Sequence, residues 1–356
     1  MRLEKRSGLN LSNLLDNSTT EPPLRAARLE TVDALRGVAA LSVMWFHFCV
    51  NDDPDLFKPG LLRQSAMWGW AGVQIFFVIS GFIIPHALCR EEYELRHDYF
   101  AFVWKRILRL YPPYLASLVI MIGSLWFSQS AGFTQGAPID ISPRRVLSHL
   151  FLLNNLTGVE WYNGVYWTLA VELQWYLLAG LIFPLFVARS RWLPVAILAG
   201  MAATSMTFPG YRTLSGNLVS FAFGVAVFQF SIGRFSKPML AGALFGLALA
   251  SQKVLGPEAT AFTLLTALAI GCTRLRWPPL TRIGEISYSL YLLHRPIGGR
   301  VLKLAGRYAE SSWARSAALG FAVLLSVATA WLFWRFVERP SQARASRVRF
   351  KASDDR

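Results

Sequence analysis

Long apolar runs, separated by short clusters of arginine, lysine, glycine and proline, set the pattern of this chain. A helix that crosses a bilayer needs about 20 mostly apolar residues. Six runs come close to that length and predict transmembrane helices: Val32–Val50, Trp68–Leu88, Leu110–Phe127, Tyr166–Val187, Thr213–Phe230 and Ser316–Val337. Four shorter or weaker runs, Leu193–Phe208, Pro238–Ser251, Glu258–Cys272 and Glu285–Leu304, bring the expected total to about ten. The longest connection runs from Ser128 to Val165. Its apolar middle, Val146–Leu156, is too short to span and predicts a helix lying in the interface. The expected fold is all-α, a polytopic membrane protein of about ten transmembrane helices. A flexible cytosolic tail at residues 1–30 precedes a membrane domain at 31–340, and a basic cytosolic tail at 341–356 follows it. The first thirty residues lack the apolar core of a signal peptide.

Composition agrees with lipid as the solvent. Of 356 residues 54% are hydrophobic and 16% charged, where a soluble domain carries about a quarter charged. The net charge of +15 raises nucleic acid as a partner, but the basic residues fall in short segments between apolar runs, as in cytoplasmic loops. No nucleic-acid partner is expected. Placing the N-terminus inside puts Arg25, Arg28, Arg36, Lys105, Arg106, Arg109, Arg189, Arg191, Arg234, Lys237, Arg274, Arg276 and Arg282 on the cytosolic side. The C-terminal group from Arg339 to Lys351 lies there too. Both termini are then cytoplasmic. The segment after the first span is acidic, with Asp52, Asp53 and Asp55. One segment dissents: Gly299–Arg315 falls outside, yet carries Arg300, Lys303, Arg307 and Arg315. Either it binds an anionic acceptor or the ninth span is misplaced. The three cysteines, Cys49, Cys89 and Cys272, are far apart and fit neither a disulfide framework nor a metal site.

Ionisable groups inside a membrane are costly, about 2.5–3.5 kcal/mol each on insertion scales, and are functional candidates by default. Arg36 and His47 stand eleven residues apart in the first span, close to three helical turns, so they share a face about 16 Å apart along the axis. A cation at the cytosolic mouth can grip a phosphate, and a histidine deeper on that face can act as general base. The plain alternative is a snorkelling arginine paired with Asp33 and a buried, hydrogen-bonded histidine. Arg106 and Arg109, at i and i+3 in WKRILRLYPPY, suit a phosphate clamp or a positive-inside anchor. Glu172 lies in an otherwise apolar and aromatic span, where a carboxylate must be paired, protonated or solvated. It either relays protons for a histidine or neutralises a buried arginine. GEISYSLYLLHRP brings Ser287, Tyr288 and His294 together. The hydroxyls are either helix glue or hydrogen-bond donors to an oxyanion or acceptor, and His294 stands near a helix end, where it is either a cap or an acceptor contact. His86, His97 and His149 carry no special weight. Phosphate-loop, zinc-protease and nucleophile-elbow motifs are absent, as are internal repeats, and no metal is expected.

These segments together resemble the acyltransferase-3 family, bacterial multi-pass membrane enzymes that acylate surface polysaccharides, lipopolysaccharide, Nod factors or macrolides. VDALRGVAALSVMWFHF is similar to the family's first helix with its Arg-x10-His element, here Arg36 and His47. GVQIFFVISGF resembles its second-helix motif, and KRILRLYPPY carries its R-x-x-R element at Arg106 and Arg109. VYWTLAVELQWYLL resembles the segment around a key glutamate, here Glu172, and SYSLYLLHRP and VERP resemble the closing motifs. The match runs from about Glu30 to Pro340. Leu173 follows Glu172 where many members have a second acidic residue, and no esterase-like domain follows Pro340, as in a stand-alone member.

The resemblance implies ten helices with cytosolic termini in a bacterial inner membrane. It also implies a CoA thioester donor, a catalytic His47, and Arg36, Arg106 and Arg109 on the donor side. The expected activity is transfer of an acyl group, acetyl by family frequency, from acyl-CoA as co-substrate to a hydroxyl of a carbohydrate-containing acceptor, with no bound cofactor. The rival readings are a transporter or flippase of a lipid-linked sugar, which the missing repeat disfavours, and a non-enzymatic scaffold, which leaves the buried ionisable groups without a purpose.

Overall fold

The computed structural model describes residues 22–52, 56–132, 139–190, 192–273, 275 and 277–350, with side chains described from residue 29 onward. The expected N-terminal tail up to Glu21, the side chains of Arg25 and Arg28, Asp53, Asp55, Arg191, Arg274, Arg276 and the end of the basic tail lie outside those residues. All regular structure among the described residues is helical.

Among the described residues six stretches are long and apolar enough to cross a membrane: Leu29–Asn51, Leu61–Arg90, Leu95–Ser130, Gly164–Val187, Leu214–Ser231 and Ser312–Ala345. They coincide with the six long runs in the sequence. The first is α1 (Pro22–Phe46), which continues into a π turn at His47–Asn51. It begins ten residues before the expected Val32, so the stretch from Pro22 to Glu30 is helix rather than tail. The second joins the short α2 (Leu61–Ala66) to α3 (Gly72–Arg90).

The third helix differs most from expectation. α4 (Leu95–Ser130) is 36 residues long, about 54 Å at helical rise, and starts fifteen residues before Leu110. Asp98 holds its first turn by accepting the Glu94 backbone N–H at 2.9 Å, a capping contact that apolar periodicity does not reveal. Arg106 and Arg109 therefore sit within a helix, not at its entrance. Pro112 and Pro113 lie inside it. Pro112 has no N–H to give the Leu108 carbonyl; the Ser341 hydroxyl donates to that carbonyl instead.

α5 (Pro143–Leu150) and α6 (Asn154–Thr157) form the long connection as two short helices in place of one. Leu147, Phe151 and Leu156 point outward while His149 and Asn154 are buried. The chain continues through α7 (Trp167–Val187), α8 (Leu193–Thr207), α9 (Leu214–Ser231), α10 (Lys237–Val254) and α11 (Pro257–Cys272). α8 and α11 are apolar but only 15 and 16 residues long. Thr213 and Ser236 cap α9 and α10 by accepting N–H groups of their first turns. At the far end of α7, Arg234 donates to the carbonyls of Phe186, Ala188 and Ser190, so this loop arginine closes a helix C-terminus.

The expected ninth span, Glu285–Leu304, is not one helix. It is α12 (Pro278–Glu285), α13 (Ser287–Leu293) and α14 (Gly298–Tyr308). The first break follows Gly284, whose backbone presses on that of Asp33 in α1. The second contains Pro296, which lacks an amide donor. α15 (Ser312–Phe333), capped by Ser311, passes through a second π turn at Trp334–Glu338 into α16 (Arg339–Ala345). Past α16 the chain folds back, and Phe350 is buried against Tyr93 with its ring 5.7 Å away.

α3 and α9 form the centre. Val219, Phe221, Ala222 and Phe223 of α9 and Val78 and Phe82 of α3 are fully buried. Gly81 lies on the Phe221 backbone and Gly224 on the backbone of Val78 and Phe82. Small residues at a helix contact let backbones approach, which drives association where lipid supplies no hydrophobic force.

Candidate active site

A cavity of about 260 Å³ opens among α1, α3, α4, α7, α13 and the second π turn. α1 contributes Asp33 and Arg36, and α4 contributes Arg106 and Arg109. The helical spacing of each pair puts both side chains on one face. None of the three guanidinium groups makes a hydrogen bond or an ion pair among the described residues. Arg106 is buried, its Nε has no partner, and it lies over the rings of Phe102 and Tyr176 at 5.2 and 5.6 Å. The expected Asp33–Arg36 pair does not close to within 4 Å.

Two of the three carboxylates in the same cavity, Glu172 and Glu338, are satisfied by neutral donors. Glu172 accepts the Tyr176 hydroxyl, one turn further along α7, and the Ser80 hydroxyl at 3.3 Å. Glu338, 1% exposed, accepts the Ser289 hydroxyl at 2.5 Å and its N–H at 3.1 Å, with Gln342 on its other oxygen at 2.7 Å. Sequence reasoning passed over Glu338, although an acid directly at the end of the last apolar run was its signal.

Ser287 and Tyr288 also line the cavity. The Ser287 hydroxyl is buried and without a partner. The Tyr288 hydroxyl donates to the Leu110 carbonyl at 2.8 Å. The cavity thus gathers Arg36, Arg106, Arg109, Glu172, Ser287 and Tyr288, and its walls do not include His47 or His294.

Those two histidines form a site of their own further along α1. His294 is fully buried at the break between α13 and α14, with Nε2 3.3 Å from His47 Nδ1 and ring centroids 5.0 Å apart. His47 Nδ1 is 2.8 Å from the Val43 carbonyl, and His294 Nδ1 is 3.0 Å from that of Leu290. Tyr291 joins the two places: it lines the cavity, and its ring lies 6.1 Å from His294 and 5.8 Å from Phe76. The π turn that starts at His47 is a helical irregularity of the kind found at functional sites. Just beyond it Asp52 pairs with Arg295, at 2.7 and 2.9 Å. That ion pair was hidden in the sequence, because 243 residues separate its members. Among the described residues no group of three His, Cys, Asp or Glu side chains is placed to hold a metal.

Known proteins give the same direction. The family profile described as an acyltransferase domain matches residues 29–335. The acyltransferase MdmB of Streptomyces mycarofaciens is 25% identical over 89% of this chain and 92% of its own length. The exopolysaccharide production protein ExoZ of Rhizobium meliloti is 32% identical over 64% of this chain and 75% of its own. The O-acetyltransferase OatA of Staphylococcus aureus is 27% identical over 46% of this chain and 26% of its own. No solved structure matches.

Proposed function

This chain belongs to the acyltransferase-3 family, and from that premise we propose that it transfers an acyl group, acetyl in the first instance, from acyl-CoA to a hydroxyl of a carbohydrate-containing acceptor. That it is a membrane acyltransferase follows from the family and the apolar helices; donor and acceptor are the proposal. The observation that carries the donor is the set of three guanidinium groups, Arg36, Arg106 and Arg109, around one cavity with their N–H groups unengaged. An oxyanion-rich ligand satisfies them, and CoA brings phosphates that match the arginine fork. Glu172 and Glu338, held by neutral donors, temper the positive field without occupying those forks. The names of ExoZ and OatA support an acetyl group and a polysaccharide acceptor. In this reading the shorter helices complete about ten crossings of a bacterial inner membrane, with both termini cytosolic and the cavity facing the cytosol.

With the phosphates held at Arg36, Arg106 and Arg109, the pantetheine arm runs along α1 past Tyr291 towards His47, about 16 Å away. Carbonyl oxygens only accept, so both Nδ1 atoms near them carry protons. His47 Nε2 is then left with a lone pair. In a direct route it takes the proton of the acceptor hydroxyl as that oxygen attacks the thioester carbonyl. The C–S bond breaks, and the CoA sulfur leaves with the proton. In a two-step route Nε2 itself attacks the thioester carbonyl and the C–S bond breaks to release the CoA thiolate; the acceptor oxygen then takes the acyl group as the C–N bond breaks, and its proton passes to the thiolate. The unpartnered Ser287 hydroxyl, in the cavity wall about two helical turns before His294, is left to meet the donor inside the cavity.

The test uses purified protein in nanodiscs with radiolabelled acetyl-CoA, comparing wild type with H47A and the R106A/R109A double variant. Saturable CoA binding that the double variant weakens, with turnover lost in H47A, is the expected result. Label that stays on the wild-type protein selects the two-step route. Absence of CoA binding across several acyl donors overturns the proposal.

A further inference from the structure

α1 connects two arginine sites. Its N-terminal half borders the donor cavity, His47 stands about three turns on, and Asp52 follows five residues later at the start of the next loop. There Asp52 meets Arg295 and the beginning of α14. Arg295 spends its fork on Asp52, at 2.7 and 2.9 Å, and on the Asn163 side chain at 3.5 Å. The neighbouring arginine does not share that pair. Arg300 lies within the electrostatic reach of both Asp52 and Arg295, yet its Nε and Nη1 are buried with no hydrogen-bond partner. A guanidinium has five donors and no way to shed its charge, and buried donors left unpaired cost about 1–3 kcal/mol, more for charged groups. Asp52 and Arg295 thus pair beside His47, on which both act electrostatically, with Arg300 within their electrostatic reach.

The groups are closely packed there. Gly299 donates to the His294 carbonyl at 2.9 Å, and a Cβ at Gly299 would lie 3.1 Å from the Asp52 carboxylate. A side chain at Gly164 would meet the Arg295 guanidinium at 2.8 Å. The Arg295 side chain keeps 25% of its surface exposed, so the cluster reaches the molecular surface. Other cations of this segment are engaged elsewhere. Arg307 donates to the Gly132 carbonyl, and Arg315 to those of Ala309 and Leu56. Arg300 is left over.

We propose that Arg300, supported by Arg295, is the acceptor-side anchor, and that it selects a sugar bearing an anionic group, a carboxylate or a phosphate ester, whose hydroxyl is thereby presented to His47. The assignment rests on the acyltransferase reading and names its substrate class. It also accounts for the excess of arginine in a segment that the helix count places outside: these cations serve ligand and fold, not topology.

The test uses the full-length protein in nanodiscs with acetyl-CoA and three acceptors: methyl glucoside, methyl glucuronide and glucose 1-phosphate. CoA release is measured with each, beside CoA binding in the same preparation. Wild type is expected to use at least one anionic acceptor with a kcat/KM about tenfold or more above methyl glucoside, and the preferred one tells carboxylate from phosphate. R300A is expected to cut that ratio about tenfold, chiefly through KM, and R300K to restore part of it. Retained CoA binding shows that each variant is folded. Equal use of the three acceptors, a ratio that survives R300A, or no transfer to any of them while CoA binds overturns the anchor and leaves the donor reading standing. Failure of the wild type to bind CoA overturns the donor reading, and the anchor with it.

Discussion

His47 Nδ1 lies 3.3 Å from His294 Nε2, across 247 residues of chain, and this contact decides which nitrogen of His47 is free. The proton on His47 Nδ1 is shared between the Val43 carbonyl and the bare Nε2 of His294. The ring is thereby held in one tautomer and one orientation, with Nε2 turned outward, as a third group orients the base in other nucleophile–base systems. His294 is a positioning residue in this reading. H294L is expected to lower kcat about tenfold or more while leaving the affinity for CoA within about twofold of wild type. H47A is expected to cost about 10²–10⁴-fold, the usual worth of general-base catalysis. A split between kcat and CoA affinity in single-turnover assays separates positioning from a folding defect, and H294N, which still offers a polar side chain, should recover part of the loss. Equal damage to CoA binding in H294L would reject the role.

Arg106 and Arg109 are predicted to differ in what they tolerate. Arg106 is buried and stacked between Phe102 and Tyr176, a place that suits a planar guanidinium and not an ammonium. R106K is expected to weaken CoA binding about as much as R106A, roughly tenfold. Arg109 is half-buried, and R109K is expected to keep most of the affinity. Titration of CoA into nanodiscs at two salt concentrations checks both, since loss of a phosphate contact also flattens the salt dependence.

The sequence announced long elements better than broken ones. The six long apolar runs each became a helix because hydropathy over about 20 residues is itself the physical cause of membrane insertion. The stretch around Glu285–Leu304 misled because Gly284 and Pro296 break it for reasons that lie in α1 and in a missing amide, not in hydropathy. The candidate residues of the donor cavity were legible for the opposite reason: an arginine or glutamate in an apolar run stands out in one dimension. Contacts between distant segments were not. His294 read as a helix-end residue, and its partner His47 lies at the end of α1, twelve helices before α13. Arg295 and Asp52 gave no local sign of each other.

The packing of α3 on α9 gives a stability prediction. At Gly81 an added Cβ would run into the Phe221 backbone, and at Gly224 into Val78 and Phe82. Neither obstacle is a flexible side-chain end, so the two helices must move apart. G81V is expected to cost more than the about 1–3 kcal/mol of ordinary core overpacking, seen as loss of the monodisperse peak in detergent or a lower melting temperature. G246V on α10, where an added Cβ meets nothing within 4 Å, serves as the control and is expected to be near neutral.

The long connection between α4 and α7 carries a pH prediction. The His149 ring donates from Nδ1 to the Arg145 carbonyl at 2.8 Å and accepts the Tyr162 backbone N–H at Nε2, 3.1 Å away. Only the neutral ring can do both. Burial pushes the His149 pKa down from its ordinary value, and the Arg145 charge adds to that, against the opposing pull of the Arg145 carbonyl. A histidine whose folded pKa is depressed contributes stability that is complete above its unfolded value of about 6.5 and is lost as pH falls through the folded one. The segment from Ile139 to Tyr166 is therefore expected to loosen as pH falls below about 6.5. Asp140 does not confuse that window, because hydrogen bonds from Ser142 hold its carboxyl below the usual carboxylate range. Hydrogen exchange of residues 139–166 at pH 7.5 and pH 5, corrected for the intrinsic rate, measures the effect. Wild type should lose protection at the lower pH, while H149Q, with no ring to protonate, should exchange equally at both. Protection in wild type that does not change with pH would show that the ring is not what fastens this segment.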